Sequence, residues 1–176
     1  MTCLDRLLDL PLWADIPPAI LHSLRAEATV VRLKQGDYLA RQHHPARDFH
    51  LLVEGRVEFL IQVDDSGQRL SVGIVQRPLT PMGWSGLRPP HRFAADIRCL
   101  TSCTLIRWPQ HRLVELLDGD PVFGLRFLEL ILATGGELLH QARKLLEQCA
   151  RSPWDRGAAL NHEGQADHHP GLLERL

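Results

Sequence analysis

Two textures of hydrophobic and polar positions divide the chain. Residues 28–108 run in short segments with a period of two, broken by Gly, Pro and Asp, whereas the flanking residues repeat every three or four. In "RVEFLIQV", Val57, Phe59, Ile61 and Val63 alternate with largely polar neighbours, the pattern of a strand with one buried face. "DDSG" is a hairpin turn, and "RLSVGIV" answers it with Leu70, Val72 and Ile74 on one face. "TVVRL", "YLAR" and "FHLLVE" precede this hairpin; "FAADIRC" and "CTLIRW" follow it. Seven or eight short strands spaced roughly ten residues apart predict an antiparallel β jelly-roll barrel.

The flanks read as helices. Residues 1–27 form an N-terminal helical cover that stops at Pro11 and restarts at "PPAILHSLRAEA", with prolines at the permissive first positions. Residues 109–150 are C-terminal helices: "PQHRLVELL", then a long segment in which Asp120 caps free N–H groups and Pro121 takes the first helical position. Within 121–150, Leu125, Leu128, Leu132, Gly135, Leu139, Ala142, Leu146 and Cys149 alternate at spacings of three and four, a heptad seam. Phe127, Ile131, Leu138 and Leu145 form a second apolar face. The expectation is one face on the barrel and one on a second copy, giving a homodimer through residues 121–150. Gly135 and Gly136 each cost about 1 kcal/mol relative to Ala in a helix, which fits a close helix crossing or a bend. Residues 151–176 are polar and rich in Gly, Pro and His; a mostly disordered tail is expected, with "LLERL" able to form a small docking helix. The fold class is α+β: an antiparallel jelly roll with N-terminal helices and a long C-terminal helix.

Composition narrows the partners. With 20 Lys plus Arg against 21 Asp plus Glu, the formal net charge is -1, and no basic face marks the chain as a nucleic-acid binder. "MTCLDRLLDLPLW" carries acids early and does not read as a secretory signal. The apolar stretch "VFGLRFLELILATGGELL" contains Arg126 and two glutamates, so no membrane span is expected and the location read from the sequence is cytoplasmic. Cys3, Cys99, Cys103 and Cys149 include no CxxC pair and read as reduced thiols, although Cys99 and Cys103 flank a turn that brings them near each other.

The stretches "LKQGDYLARQHHPARDFHLLVEGRVEFLI", "PMGWSGL…HRFAA", "CTLIRWPQHRLVELL" and the "DP" opening the long helix, with turn glycines at Gly36, Gly55 and Gly83, resemble the cyclic nucleotide-binding domain of the catabolite activator family. The likeness covers about residues 8 to 150. It implies a loop around Gly83 and Arg92 that cradles a cyclic phosphate through backbone N–H groups and one guanidinium. Arg92 falls on the position of that arginine, and Gly86 and Leu87 fall on the small and apolar positions of the cassette. The implied ligand-binding set is Gly83, Trp84, Ser85, Gly86, Leu87, Arg92, Phe93 and Ala94. The implied ligand is a cyclic nucleotide or another small anion, without a metal.

Three departures change that expectation. Where the family carries a sugar-binding acid stands Trp84, whose indole donates one hydrogen bond and accepts none. Phe93, Ala94 and Ala95 follow the arginine in place of a hydroxyl residue, and Leu138 and Leu139 occupy the region of the base-reading hydroxyl pair. At about 1 kcal/mol for each lost contact, affinity for an ordinary cyclic nucleotide falls by roughly two orders of magnitude. Trp84 and Phe93 compensate by stacking on a base or by filling the pocket. The activators continue into a helix-turn-helix; residues 151–176 lack its two apolar-periodic helices, so the expected role is a stand-alone regulatory module that does not bind DNA by itself.

Two short stretches carry the residue types of other chemistries. "HHPARD", with His43, His44 and Asp48, has the HHxxxD form of some acyltransferases, but those build their site between two large halves. His43, His44, His50 and Glu54 carry a metal-cupin alternative, weakened because adjacent strand residues point to opposite faces. Neither replaces the expectation of a non-enzymatic module. The remaining alternative is a ligand-blind scaffold of the same fold that docks a protein partner.

Overall fold

The computed structural model describes residues 13, 15–64 and 67–150. A helix α1 (Pro18–Ala26) leads into eight strands: β1 (Thr29–Leu33), β2 (Tyr38–Ala40), β3 (Asp48–Glu54), β4 (Val57–Gln62), β5 (Arg69–Val75), β6 (Thr80–Met82), β7 (Asp96–Cys99) and β8 (Cys103–Pro109). Helices α2 (Gln110–Gly119) and α3 (Pro121–Ala150) follow. The strands form two antiparallel four-stranded sheets, ordered β1-β8-β3-β6 and β2-β7-β4-β5. This is the α+β jelly roll expected from the sequence. The chain divides into two compact units, residues 1–142 and 143–176. In the second, Arg143 Nε meets Glu147 Oε1 at 3.0 Å, an exposed pair one helical turn apart.

Strand periodicity explains why two of these segments read as apolar runs. In β3 and β8, successive side chains enter different cores. Leu52 and Leu105 join Val57, Phe59, Met82 and Ile97 between the sheets. Phe49, Leu51, Ile106 and Trp108 project from the opposite face and pack with Leu24, Leu113, Phe123 and Phe127 of the helices. Both faces of the β3–β8 pair are covered, so neither strand shows the clean alternation of β4.

The helices are tied down by specific bonds. Trp108 Nε1 donates to the Leu24 carbonyl at 2.7 Å, holding α1 against β8. Asp120 Oδ1 accepts from the Phe123 N–H at 2.8 Å, the cap expected for α3. Phe127 packs on Phe49 with ring centroids 4.8 Å apart. Farther along α3, the Gln141 amide clasps the backbone of Ile74, accepting from its N–H at 2.8 Å and donating to its carbonyl at 3.1 Å.

Two details differ from the sequence reading. The segment "FAADIRC" is a strand only over Asp96–Cys99, because the residues before it pair with the 43–46 loop. Thr80–Met82 adds an edge strand to β3; its central Pro81 hid it, since a proline fits a sheet only where no ladder N–H is needed. Gly135 and Gly136 lie within continuous α3, and a Cβ at either would meet none of the described residues within 4 Å. Trp13 is buried and lies 5.9 Å from Phe123; the rest of the N-terminal break at Pro11, turn residues 65 and 66, and the tail 151–176 lie outside the described residues.

Candidate ligand site

The cassette is built on two glycines whose backbone approaches leave no room for a side chain. Gly83 has φ 91°, a left-handed conformation that favours glycine, and a Cβ there would lie 2.7 Å from the Asp48 carbonyl. It opens a short 3₁₀ turn, Trp84–Leu87, closed by Gly86 N–H donating to the Gly83 carbonyl at 3.0 Å. A Cβ on Gly86 would meet the Ala46 carbonyl at 2.6 Å and the Gln110 side chain. The turn is therefore pressed onto the start of β3 and the loop before it.

Behind the turn the chain is bound back to the same loop. The His43 N–H donates to the Phe93 carbonyl at 2.8 Å, Phe93 N–H to His44 at 3.0 Å, and Ala46 N–H to His91 at 2.9 Å. His91 Nδ1 lies 2.6 Å from the Gly86 carbonyl. Arg92 is exposed, and its Nη1 donates to the His43 carbonyl at 2.6 Å.

Beneath lies a cavity of about 230 Å³. Gly83, Trp84, Ser85, Phe93 and Ala94 line it, joined by Phe59 and Ile61 of β4, Val72 of β5 and Leu138 of α3. The Trp84 and Phe59 rings stack with centroids 6.4 Å apart and planes at 27°. Of the eight residues expected from the sequence, five therefore share the cavity. Gly86 is spent on the close approach to Ala46, Leu87 packs into the core beneath the helices, and Arg92 faces away along the 43–46 loop. Leu138 also lines it, at the place where the resemblance put a base-reading hydroxyl.

A fully held charge that the sequence reading did not single out is Asp96, between the cavity-lining Ala95 and Ile97. It is buried at the head of β7 and accepts from Gln42 N–H at 2.7 Å, Arg69 Nε at 2.6 Å and Arg41 Nη1 at 3.4 Å. Burial alone would raise its carboxyl; the Gln42 bond and the two guanidiniums outweigh this and hold it below the ordinary value. Its oxygens are occupied, so it serves as a brace between the 41–42 segment and the β2-β7-β4-β5 sheet. The spacing "FAADIR" offered no signal for this, because the partners lie 27 and 55 residues away.

His43 and His44 are exposed, while His50 is buried on β3 and Glu54 is exposed at that strand's end. Among the described residues, no group of three His, Cys, Asp or Glu side chains is placed to hold a metal ion. Cys99 and Cys103 are both buried free thiols, and burial followed by the neighbouring Cys103 pushes Cys99 up to about 12. No described helix is long and apolar enough to cross a membrane.

The same architecture recurs in solved structures. The c-di-GMP-responsive global regulator CLP of Xanthomonas campestris superposes with a TM-score of 0.66 at 19% identity, over 88% of this chain and 77% of that one. A cyclic nucleotide-binding domain of Methylobacillus flagellatus gives 0.64 at 14% identity, over 83% and 82%. The sensor domain of the transcriptional regulator DNR of Pseudomonas aeruginosa gives 0.61 at 19%, over 74% and 91%. No curated protein matches the chain. The sequence model of the cyclic nucleotide-binding domain matches residues 30–120. With that match and the glycine-built turn over a cavity closed by β4, β5, β7 and α3, this chain belongs to the cyclic nucleotide-binding domain family.

Proposed function

We propose that this chain is a regulatory module in which the family's cavity has changed its ligand specificity, and that it works as a homodimer without itself contacting DNA. The observation that carries the reading is the cavity lining. Phe59, Trp84, Phe93, Val72 and Leu138 surround the space, while the cassette guanidinium of Arg92 is bound to a backbone carbonyl outside it. A cyclic phosphate buried there would lack a partner charge, a costly arrangement. A flat or apolar group is the better fit, with Trp84 and Phe59 as its stacking surface.

Occupancy has a route to the long helix, since Leu138 lines the cavity and Gln141 grips β5. On the same helix Leu125, Leu128, Leu132 and Leu139 are 60%, 52%, 72% and 72% exposed. Their heptad spacing is self-complementary, which supports a second copy as the occupant of that face. The near-neutral charge supports a role away from nucleic acid.

Thermal denaturation with cyclic AMP, cyclic GMP and cyclic di-GMP tests the specificity. Cyclic AMP at micromolar concentration is expected to leave the melting temperature unchanged. A saturable cyclic AMP shift that Arg92→Ala abolishes would overturn the reading and restore ordinary sensing. The Trp84–Phe59 stack inside the hollow favours one alternative, a ligand-blind scaffold; for it, Trp84→Ala would leave partner capture intact and no small molecule would shift the transition.

A further inference from the structure

A second hollow, of about 430 Å³, lies between β1, β2, β3 and β8 and shares Phe93 as a wall with the cassette cavity. Its floor is unlike the rest of the sandwich interior. Along β3 and β8 the inward face carries Leu52 and Leu105, and one cross-strand pair on, two residues before Leu52 and two after Leu105, it carries His50 and Arg107. These two are direct cross-strand partners, so their side chains stand on the same face. His50 is 5% exposed, yet among the described residues its Nδ1 has no hydrogen-bond partner, and the buried Nε of Arg107 has none either. Buried polar atoms are nearly always paired, so two adjacent orphans facing one hollow call for a ligand that accepts hydrogen bonds from both.

The remaining charges give that ligand its sign. Arg47 and His44, both exposed, stand at the rim. Arg41 also lines the hollow, though its guanidinium lies over the Tyr38 ring at 3.2 Å and reaches Asp96. Asp48 is the single carboxylate among the described lining residues. With Arg41 spent on Asp96, Arg47 and Arg107 against Asp48 still favour an anion, and Leu33, Leu39 and Phe93 supply an apolar wall.

We propose that this hollow is a second ligand site, distinct from the cassette cavity, which takes a small oxyanion head group, phosphate or carboxylate, between Arg107 and His50. The site stands independently of what occupies the cassette. Burial, and after it the Arg107 charge, lower His50 to about 4, so its ring is neutral at pH 7 in the free protein. A bound dianion offsets both effects, and binding takes up a proton. Lower pH therefore tightens binding.

Sulfate is the chosen probe because it stays dianionic from pH 6 to 7.5, leaving the protein as the titrating partner. The full chain is titrated with sodium sulfate and, in a parallel arm, sodium malonate, against sodium chloride at matched ionic strength, with histidine ¹⁵N shifts and the melting temperature as readouts. Saturable binding is expected, with a shift of His50 Nδ1. If the bound ring recovers the ordinary histidine value near 6.5, affinity rises about fourfold from pH 7.5 to 6.0. Arg107→Gln and His50→Gln are expected to remove saturation, and Arg47→Gln, at the exposed rim, to weaken it several-fold without risk to the fold. Arg92→Ala is expected to lower the melting temperature of the free chain but to leave sulfate saturation in place, since Arg92 is not among the lining residues. Preference between sulfate and malonate assigns the head group. The proposal is overturned if neither anion differs from chloride, or if saturation survives unchanged in Arg47→Gln together with Arg107→Gln or Arg107→Lys.

Discussion

Arg92 donates to the backbone carbonyl of His43 at 2.6 Å, fastening the end of the cassette to a loop 49 residues earlier. A guanidinium held this way stabilises the loop and lies outside the cavity that Trp84 and Phe93 line. Arg92→Ala is expected to cost about 0.5–1 kcal/mol in urea denaturation, in keeping with one partly exposed hydrogen bond. The affinity of any ligand seated on Trp84 is expected to change less than twofold by calorimetry. A tenfold loss would show that the side chain swings inward on binding.

Asp96 ties β7 to β5 of its own sheet and to the segment that follows β2, with three donors on its carboxylate. Asp96→Asn keeps the shape and removes the charge that Arg69 and Arg41 neutralise. About 2 kcal/mol of stability is expected to be lost at pH 7. Because the folded carboxyl lies below its ordinary value, its contribution is present above about pH 4 and is lost as pH falls through the folded value. The difference between wild type and Asp96→Asn, followed by chemical denaturation at pH 7 and pH 3, is therefore expected to narrow in acid.

His50 moves in the other electrical sense with the same pH direction. Its folded value of about 4 lies below the ordinary 6.5, so between these limits the unfolded chain binds a proton that the folded chain refuses. Stability from this group is full above about pH 6.5 and is lost toward pH 4. Between pH 7 and pH 5 the expected loss is on the order of 2 kcal/mol. His50→Gln removes that component, so the variant's denaturation midpoint is expected to fall less over this interval than that of the wild type. Parallel profiles would mean that the ring takes a proton freely in the folded state.

Leu132 and Leu139 are each 72% exposed and lie seven residues apart on α3. A double change, Leu132→Lys with Leu139→Lys, is expected to abolish self-association in analytical ultracentrifugation while helicity and melting of the single chain stay close to wild type. Phe127 and Ile131 lie on the face turned to the strands and are untouched by this change. A monomeric wild type at micromolar concentration would remove the homodimer from the proposed function.

The strand and helix pattern, the cap at Asp120, the glycine at the head of the cassette and the two faces of α3 were all legible in the sequence. Each rests on neighbours within a few residues, and a period of two or of 3.6 records which face meets apolar surroundings. Strand β6 escaped because three residues around Pro81 carry no periodicity of their own and are recruited by β3. The direction of Arg92, the brace at Asp96 and the unpaired His50–Arg107 couple were decided by pairings across 49, 55 and 57 positions of chain. A side chain's charge and size are written at its own position. Whether it meets solvent, a carbonyl or another charge depends on which distant strand is laid beside it, and folding alone supplies that neighbour.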